Sequence, residues 1–190
     1  MKKITLYIIP GVGESTRSKN YKEIIRSSQK LGHKVIPVNI RWSAKMDVSD
    51  FISQAKEIIL DDGKNCFVLG FSLGAYIAAI LAPKKKIAGL IFCSMSPYFK
   101  SNLKDIPLSA KRYWGKKMIN SFKKYNFPSY IHKRGWFLIG SEDWDFAIEA
   151  NKHFYKNWSG KKDFFLIRGA GHELKHPNYI KQVKKIIGKL

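Results

Sequence analysis

Cysteine is scarce in this sequence, with only Cys66 and Cys93 among 190 residues. Each lies within an apolar run, and their spacing matches neither a metal-binding nor a redox motif. We expect both to be buried, reduced core residues. No cluster of His, Cys or carboxylate residues has ligand spacing either, so the sequence predicts no cofactor and no metal site.

Long apolar runs are also missing. The run at residues 4–9 follows two lysines, as in a secretion signal, but it is short and leads directly into a glycine loop, which is more typical of a first strand. No apolar run is close to the length that spans a bilayer, which is about 20 residues. We therefore expect a cytoplasmic protein without a membrane span. The length of the chain predicts a single domain over residues 1–190.

Acidic residues are few compared with basic ones. The chain has 14 Asp and Glu against 35 Lys and Arg, a formal net charge of +21. The basic residues occur as scattered pairs and one triplet, and lysine outnumbers arginine, whereas base readout relies heavily on arginine. A basic surface attracts polyanions without specificity. No specific nucleic-acid partner is predicted, although a polyanion-binding protein stays an alternative.

Short apolar runs alternate with amphipathic segments from end to end, which predicts a parallel sheet with helices on both faces. Strands are expected near residues 4–9, 34–40, 66–69, 87–92, 136–139 and 164–167. Pro37 removes a ladder donor, so its strand should lie at or near a sheet edge. The fold class is therefore α/β, with a doubly wound sheet of about six strands. Within residues 94–134 the sequence predicts only one helix, near residues 109–124. We expect this segment to be a short cap-like insertion of helix and loop.

In such a sheet, active groups gather beyond the carboxyl ends of the strands. The third strand is followed by GFSLG at residues 70–74, the pattern of a nucleophile elbow around Ser72. A serine nucleophile needs a base and an acid that orients the base. His172 follows the sixth strand, and Asp143 follows the fifth, with Asp145 as the alternative acid or a helix cap. An unreactive glycine-serine turn is the alternative for the elbow itself.

The loop after the first strand is also rich in glycine, with the sequence GVGEST at residues 11–16. Thr16 stands where a dinucleotide fingerprint has its third glycine, and the lysine of a phosphate loop is missing. The sequence therefore gives little support to a nucleotide site.

Three segments carry a resemblance to the α/β-hydrolase superfamily that covers nearly the whole chain. GFSLGA resembles the elbow, GSEDWDF the acid turn and RGAGHE the histidine loop, and they occur in the family's order. The resemblance implies the minimal α/β-hydrolase fold without a full lid domain. It also implies an oxyanion hole formed by the amides of Leu73 and Val12, although Pro10 stands where many members have a histidine.

The predicted function is that of a serine hydrolase acting on a carboxylic ester or thioester, with Ser72, His172 and Asp143 as its triad. A non-catalytic binding protein with the same fold is the alternative. Five aromatic residues are candidates for the cavity wall, each equally consistent with plain packing: Tyr98, Phe99, Tyr113, Trp114 and Trp144. The sequence leaves the acyl chain, the leaving group and the oligomeric state open.

Overall fold

The computed structural model describes residues 3–43, 45–60, 63 and 65–190. Strands and helices alternate along these residues. The strands are β1 (Thr5–Ile9), β2 (Lys34–Pro37), β3 (Cys66–Phe71), β4 (Gly89–Cys93), β5 (Arg134–Gly140) and β6 (Lys162–Ile167). The α-helices are α1 (Lys19–Lys30), α2 (Val48–Ile58), α3 (Leu73–Leu81), α4 (Leu108–Phe122), α5 (Asp145–Asn157) and α6 (Pro177–Ile187).

The six strands form one parallel sheet in the order β2-β1-β3-β4-β5-β6. β2 lies at one edge, where Pro37 pairs with Ile8 of β1. At this position the missing N–H of a proline costs no ladder hydrogen bond to a further strand. The predicted fold class and the predicted edge position of the Pro37 strand are both confirmed.

Helices cover both faces of the sheet, as the alternating pattern predicted. On one face, α2, α3 and α5 pack into a core that includes Phe51, Tyr76 and Phe154. On the other face, α1 and α6 contribute Tyr21 and Tyr179 to a second core. Every residue of α3 is buried, which explains why this helix is apolar nearly all round.

The segment between β4 and β5 contains α4, preceded by a 3₁₀ turn at Lys100–Asn102. The sequence predicted one continuous helix near residues 109–124. Instead, Gly115 adopts φ 69° and ψ 167°, which interrupts the helix. Glycine reaches a positive φ without the steric cost of a Cβ, so α4 consists of two short helical pieces joined at Gly115.

Both cysteines are buried, Cys66 in β3 and Cys93 in β4, in agreement with the prediction. Among the residues that the structure describes, no helix is both long and apolar enough to cross a bilayer.

Candidate active site

The order in which successive strands are added to the sheet reverses between β1 and β3. From β1 it moves to the edge strand β2, then returns to β3 and continues through β4, β5 and β6. The loops after β1 and β3 therefore lie side by side, with the loops after β4, β5 and β6 along the same edge. Ligand sites of open parallel sheets form at such a reversal.

Ser72 occupies the sharp turn between β3 and α3. Its φ of 53° and ψ of −121° lie outside the regions that non-glycine residues normally adopt. A Cβ on Gly70 would overlap the backbone of Ala75, and one on Gly74 would overlap the carbonyl oxygens of Ile9 and Pro10. The two glycines of the motif are thus required for the close approach of strand and helix that the turn creates.

Ser72, His172 and Asp143 form a continuous hydrogen-bonded series. The Ser72 Oγ lies 2.9 Å from His172 Nε2, and His172 Nδ1 lies 3.1 Å from each carboxylate oxygen of Asp143. With the imidazole proton on Nδ1, the ring donates to the carboxylate and accepts from the serine hydroxyl. The structure thus brings together the three residues that the sequence selected for nucleophile, base and acid.

The structure also distinguishes the two acid candidates. The Asp143 side chain has no solvent exposure, and its Oδ1 accepts a hydrogen bond of 2.8 Å from the amide of Trp144. Asp145 is exposed at the start of α5, whose N-cap is Trp144. Asp143 therefore faces His172, whereas Asp145 is neither the acid partner of the histidine nor the helix cap.

Two side chains hold the loop after β1. The Gly11 amide donates to Glu14 Oε2 and to the Tyr21 hydroxyl, each at 3.1 Å, and the Tyr21 hydroxyl donates to Glu14. Burial raises the pKa of Tyr21 far above its usual range, and the adjacent Glu14 carboxylate raises it further. Tyr21 is therefore a permanent donor, and the pair orders the loop that carries Val12.

The two amides proposed for the oxyanion hole lie in these turns. Val12 borders the same cavity as Ser72, and Leu73 is the first residue of α3. Within the described part of the chain, neither amide donates a hydrogen bond to another group of the protein. The start of a helix and a loop end are typical sources of such unpaired donors.

A cavity of about 510 Å³ opens above Ser72. Trp144 stacks on the His172 ring, with centroids 4.4 Å apart and planes 20° apart. Phe71 packs against the same imidazole, with a centroid distance of 5.3 Å. Aromatic side chains of the cavity therefore contact the histidine directly and restrict the orientation of its ring.

Four of the five wall candidates line this cavity: Tyr98, Tyr113, Trp114 and Trp144. For Phe99, the stated alternative of plain packing is the one that the structure shows. Phe99 is fully buried and stacks on Tyr76 of α3 with a centroid distance of 4.4 Å. The preceding residue, Tyr98, lines the cavity, but the Phe99 side chain points into the core on the α3 face of the sheet.

Three further polar residues of the cavity lining were not selected from the sequence: Glu14, Ser96 and Ser109. Ser96 follows β4, lines the cavity, and has its Oγ 3.3 Å from that of Ser72. The rule that active groups follow strand ends, extended to β4, would have found it. Glu14 also lines the cavity, but its position in a glycine-rich loop gave no specific signal.

In the same described residues, no group of three or more His, Cys, Asp or Glu side chains is arranged to hold a metal ion. The polar side chains around Ser72 include those of the Ser72, His172 and Asp143 series and, in the cavity lining, Glu14, Ser96 and Ser109.

Comparisons with known proteins give no match to any family model or curated sequence. Solved structures match nearly the whole chain. Mouse α/β-hydrolase domain-containing protein 10 superposes with a TM-score of 0.82 at 18% identity, covering 99% of this chain and 89% of the mouse chain. The chain has the α/β-hydrolase fold.

Two other solved structures cover a similar share of the chain, with lower TM-scores. The monoacylglycerol lipase of Paleococcus ferrophilus has a TM-score of 0.71 at 18% identity, over 97% of this chain and 92% of that one. A carboxylesterase of the thaumarchaeon Nitrososphaera gargenis has a TM-score of 0.71 at 15% identity, over 99% and 92%. At these identities the shared property is the fold.

Proposed function

We propose that this protein is a serine hydrolase that cleaves a carboxylic ester or thioester through an acyl-enzyme on Ser72. The observation that carries the proposal is the series from Ser72 Oγ through His172 to Asp143, with separations of 2.9 and 3.1 Å. A serine hydroxyl is a weak nucleophile at neutral pH, and a base at hydrogen-bond distance overcomes that weakness. The hydrolases and esterases that share the fold support the same reaction class.

In the proposed mechanism, Ser72 Oγ forms a bond to the substrate carbonyl carbon while its proton passes to His172 Nε2. Asp143 stabilises the resulting imidazolium and keeps the ring oriented. The tetrahedral intermediate collapses, and the departing alcohol or thiol takes the proton from Nε2. A water molecule, deprotonated by His172, then attacks the acyl-enzyme, and the carboxylic acid leaves as Ser72 regains its proton.

The amides of Leu73 and Val12 are the proposed oxyanion hole. Both lie beside Ser72 with no competing acceptor in the described part of the protein, so they are available to the negative charge that develops on the carbonyl oxygen. Donors that are already oriented stabilise this charge without reorganisation during the reaction. The hydrogen bonds that the Gly11 amide donates to Glu14 and Tyr21 hold the Val12 loop in place for this role.

Residues 94–134 are the proposed short cap over the site. Tyr98, Tyr113 and Trp114 from this segment line the cavity together with Trp144, and such aromatic walls favour an apolar acyl or alcohol group. Burial raises the pKa of Tyr98, so its hydroxyl is neutral. A cavity of about 510 Å³ accommodates a small or extended acyl substrate.

Labelling with a fluorophosphonate probe tests the proposal. The wild-type protein is expected to react, and Ser72→Ala is expected to lose both labelling and ester hydrolysis. Ser96→Ala is the matched control, because it removes a neighbouring hydroxyl in the same cavity without removing the proposed nucleophile. This variant should still be labelled.

Failure of the wild-type protein to react, where a control esterase does, would contradict the hydrolase proposal and favour a non-catalytic binding protein with the same fold. A panel of esters, thioesters and amides with graded acyl chains would then define the substrate of an active protein.

A further inference from the structure

The mouth of the cavity is surrounded by exposed apolar side chains. Tyr113 and Trp144 line the cavity, yet they are 73% and 51% exposed. Leu108 is 70% exposed and sits between the cavity-lining residues Pro107 and Ser109. An apolar patch at the entrance of a cavity is typical of an interaction site, because its exposure to water is unfavourable.

Basic residues are concentrated beside this patch. Residues 100–124 contain eight Lys or Arg and one acidic residue, Asp105, so one short segment carries a third of the net charge of +21. Lys111 and Arg112 follow Leu108 by three and four positions in α4, so they neighbour it on the helix surface. The Lys111 ammonium donates to the Lys104 carbonyl at 3.4 Å, which places Lys104 in the same group.

These basic side chains do not line the cavity. Among the residues that the structure describes, Glu14 and His172 are the acidic or basic side chains of the cavity lining. The described residues include no ion pair with Lys104, Lys111 or Arg112. The basic groups are thus available to a negatively charged surface outside the protein.

We propose that the mouth surface, defined by Leu108, Tyr113, Trp144, Lys104, Lys111 and Arg112, docks on an anionic lipid bilayer. Apolar and aromatic side chains enter the headgroup region of a bilayer, while lysine and arginine interact with lipid phosphates. A nucleic acid would complement the basic residues but leave Leu108 in water. The proposal goes beyond the hydrolase function and does not depend on it.

Docking at this surface would turn the cavity opening toward the lipid. A substrate with an acyl chain could then pass from the bilayer along Tyr113 and Trp144 to Ser72. This consequence, unlike the docking itself, rests on the proposed function.

Sedimentation with lipid vesicles tests the docking. Binding should be weak to phosphatidylcholine vesicles and should increase steeply when phosphatidylglycerol is included. Each basic residue near an anionic membrane strengthens binding about fivefold. Lys111→Glu with Arg112→Glu should therefore weaken binding about 30-fold or more. Leu108→Ser should weaken it several-fold even at high salt, where charge attraction is screened.

The matched control is Lys84→Glu with Lys161→Glu. It makes the same change in net charge with exposed lysines that precede β4 and β6, at the opposite edge of the sheet from the cavity. The control should bind within about twofold of the wild-type protein, since its charges lie beyond a Debye length of roughly 10 Å from the lipid.

Hydrolysis of a soluble short-chain ester and the thermal midpoint should be unchanged in all these variants, which separates docking from catalysis and folding. Three results would overturn the proposal. These are equal binding to both vesicle types, equal loss in the control and mouth variants, or tight binding of mixed-sequence RNA or DNA that survives salt and ignores Leu108→Ser.

Discussion

The backbone of Ser72 is one of two non-glycine positions with a positive φ in the described part of the chain. Such a conformation costs on the order of 1–3 kcal/mol and persists only where the surroundings enforce it. Here the Ser72 amide donates to the Cys93 carbonyl at 2.9 Å, and the Ser72 carbonyl accepts from Ser96 at 3.3 Å. The local strain is therefore held by the neighbouring strand, and it directs the hydroxyl toward His172.

Separate replacement of the two acid candidates provides a test at the scale of single residues. Asp143→Asn is expected to lower kcat by about 10⁴-fold, because the amide favours the wrong imidazole tautomer. Asp145→Asn changes an exposed residue and should alter kcat by no more than about twofold. Steady-state kinetics on one ester measures both variants. Equal small effects would show that the acid has been assigned to the wrong residue.

The junction of β3 and α3 depends on the approach of α3 to β1. Gly74, in the first turn of α3, lies against the carbonyl groups of Ile9 and Pro10 at the end of β1. Those residues lead directly into the loop of Val12, so this contact sets the relative positions of the Ser72 turn and the proposed oxyanion loop. One glycine thus couples two elements that are more than 60 residues apart in the sequence.

Gly74→Ala should therefore destabilise the protein. The added methyl group would overlap backbone atoms that cannot rotate away, and overpacking of this kind costs about 1–3 kcal/mol. Gly188→Ala is the control, because a Cβ there meets only ordinary contacts with the end of α6, so it should be neutral or slightly stabilising. Denaturant unfolding of both variants provides the measurement. Similar free energies of unfolding would contradict the predicted overlap.

At the scale of the whole molecule, the sheet separates two cores, and the larger one extends into residues 94–134. Phe99 joins this core with Tyr76 and Phe154, whereas Tyr113, from the same segment, faces the cavity mouth and solvent. A single segment therefore supplies both stability and the cavity wall. Aromatic side chains that face the core stabilise the fold, and those that face the cavity form its wall.

Truncation of these two aromatic residues should separate stability from substrate binding. Phe99→Ala should cost about 3–5 kcal/mol of folding free energy, because it leaves a cavity in the core. Tyr113→Ala should change stability by no more than about 0.5 kcal/mol but raise KM for an apolar ester. Unfolding curves and ester kinetics would provide the two readouts. A large stability loss in Tyr113→Ala would show that it is a packing residue.

Much of the fold and the site could be predicted from local patterns. Apolar runs alternating with amphipathic segments predicted the parallel sheet, because a strand buried on both faces is apolar throughout. Pro37 predicted the edge strand, because proline has no N–H for a ladder hydrogen bond. GFSLG, together with the order of Asp143 and His172, selected the three residues that the structure places in hydrogen-bond contact. These signals are local in the sequence, so they need no knowledge of packing.

The rest depended on contacts between distant segments. The sequence alone predicted that the loops carrying Ser72, Asp143 and His172 follow three strands of one parallel sheet and therefore meet at one edge of it. Only the tertiary structure decided that Asp143 rather than Asp145 faces His172, that Glu14 borders the cavity, that Gly115 breaks α4, and that Phe99 turns into the core. Neighbouring residues of one segment lie in nearly the same local sequence pattern. Their environments differ because each side chain packs against a different distant part of the chain.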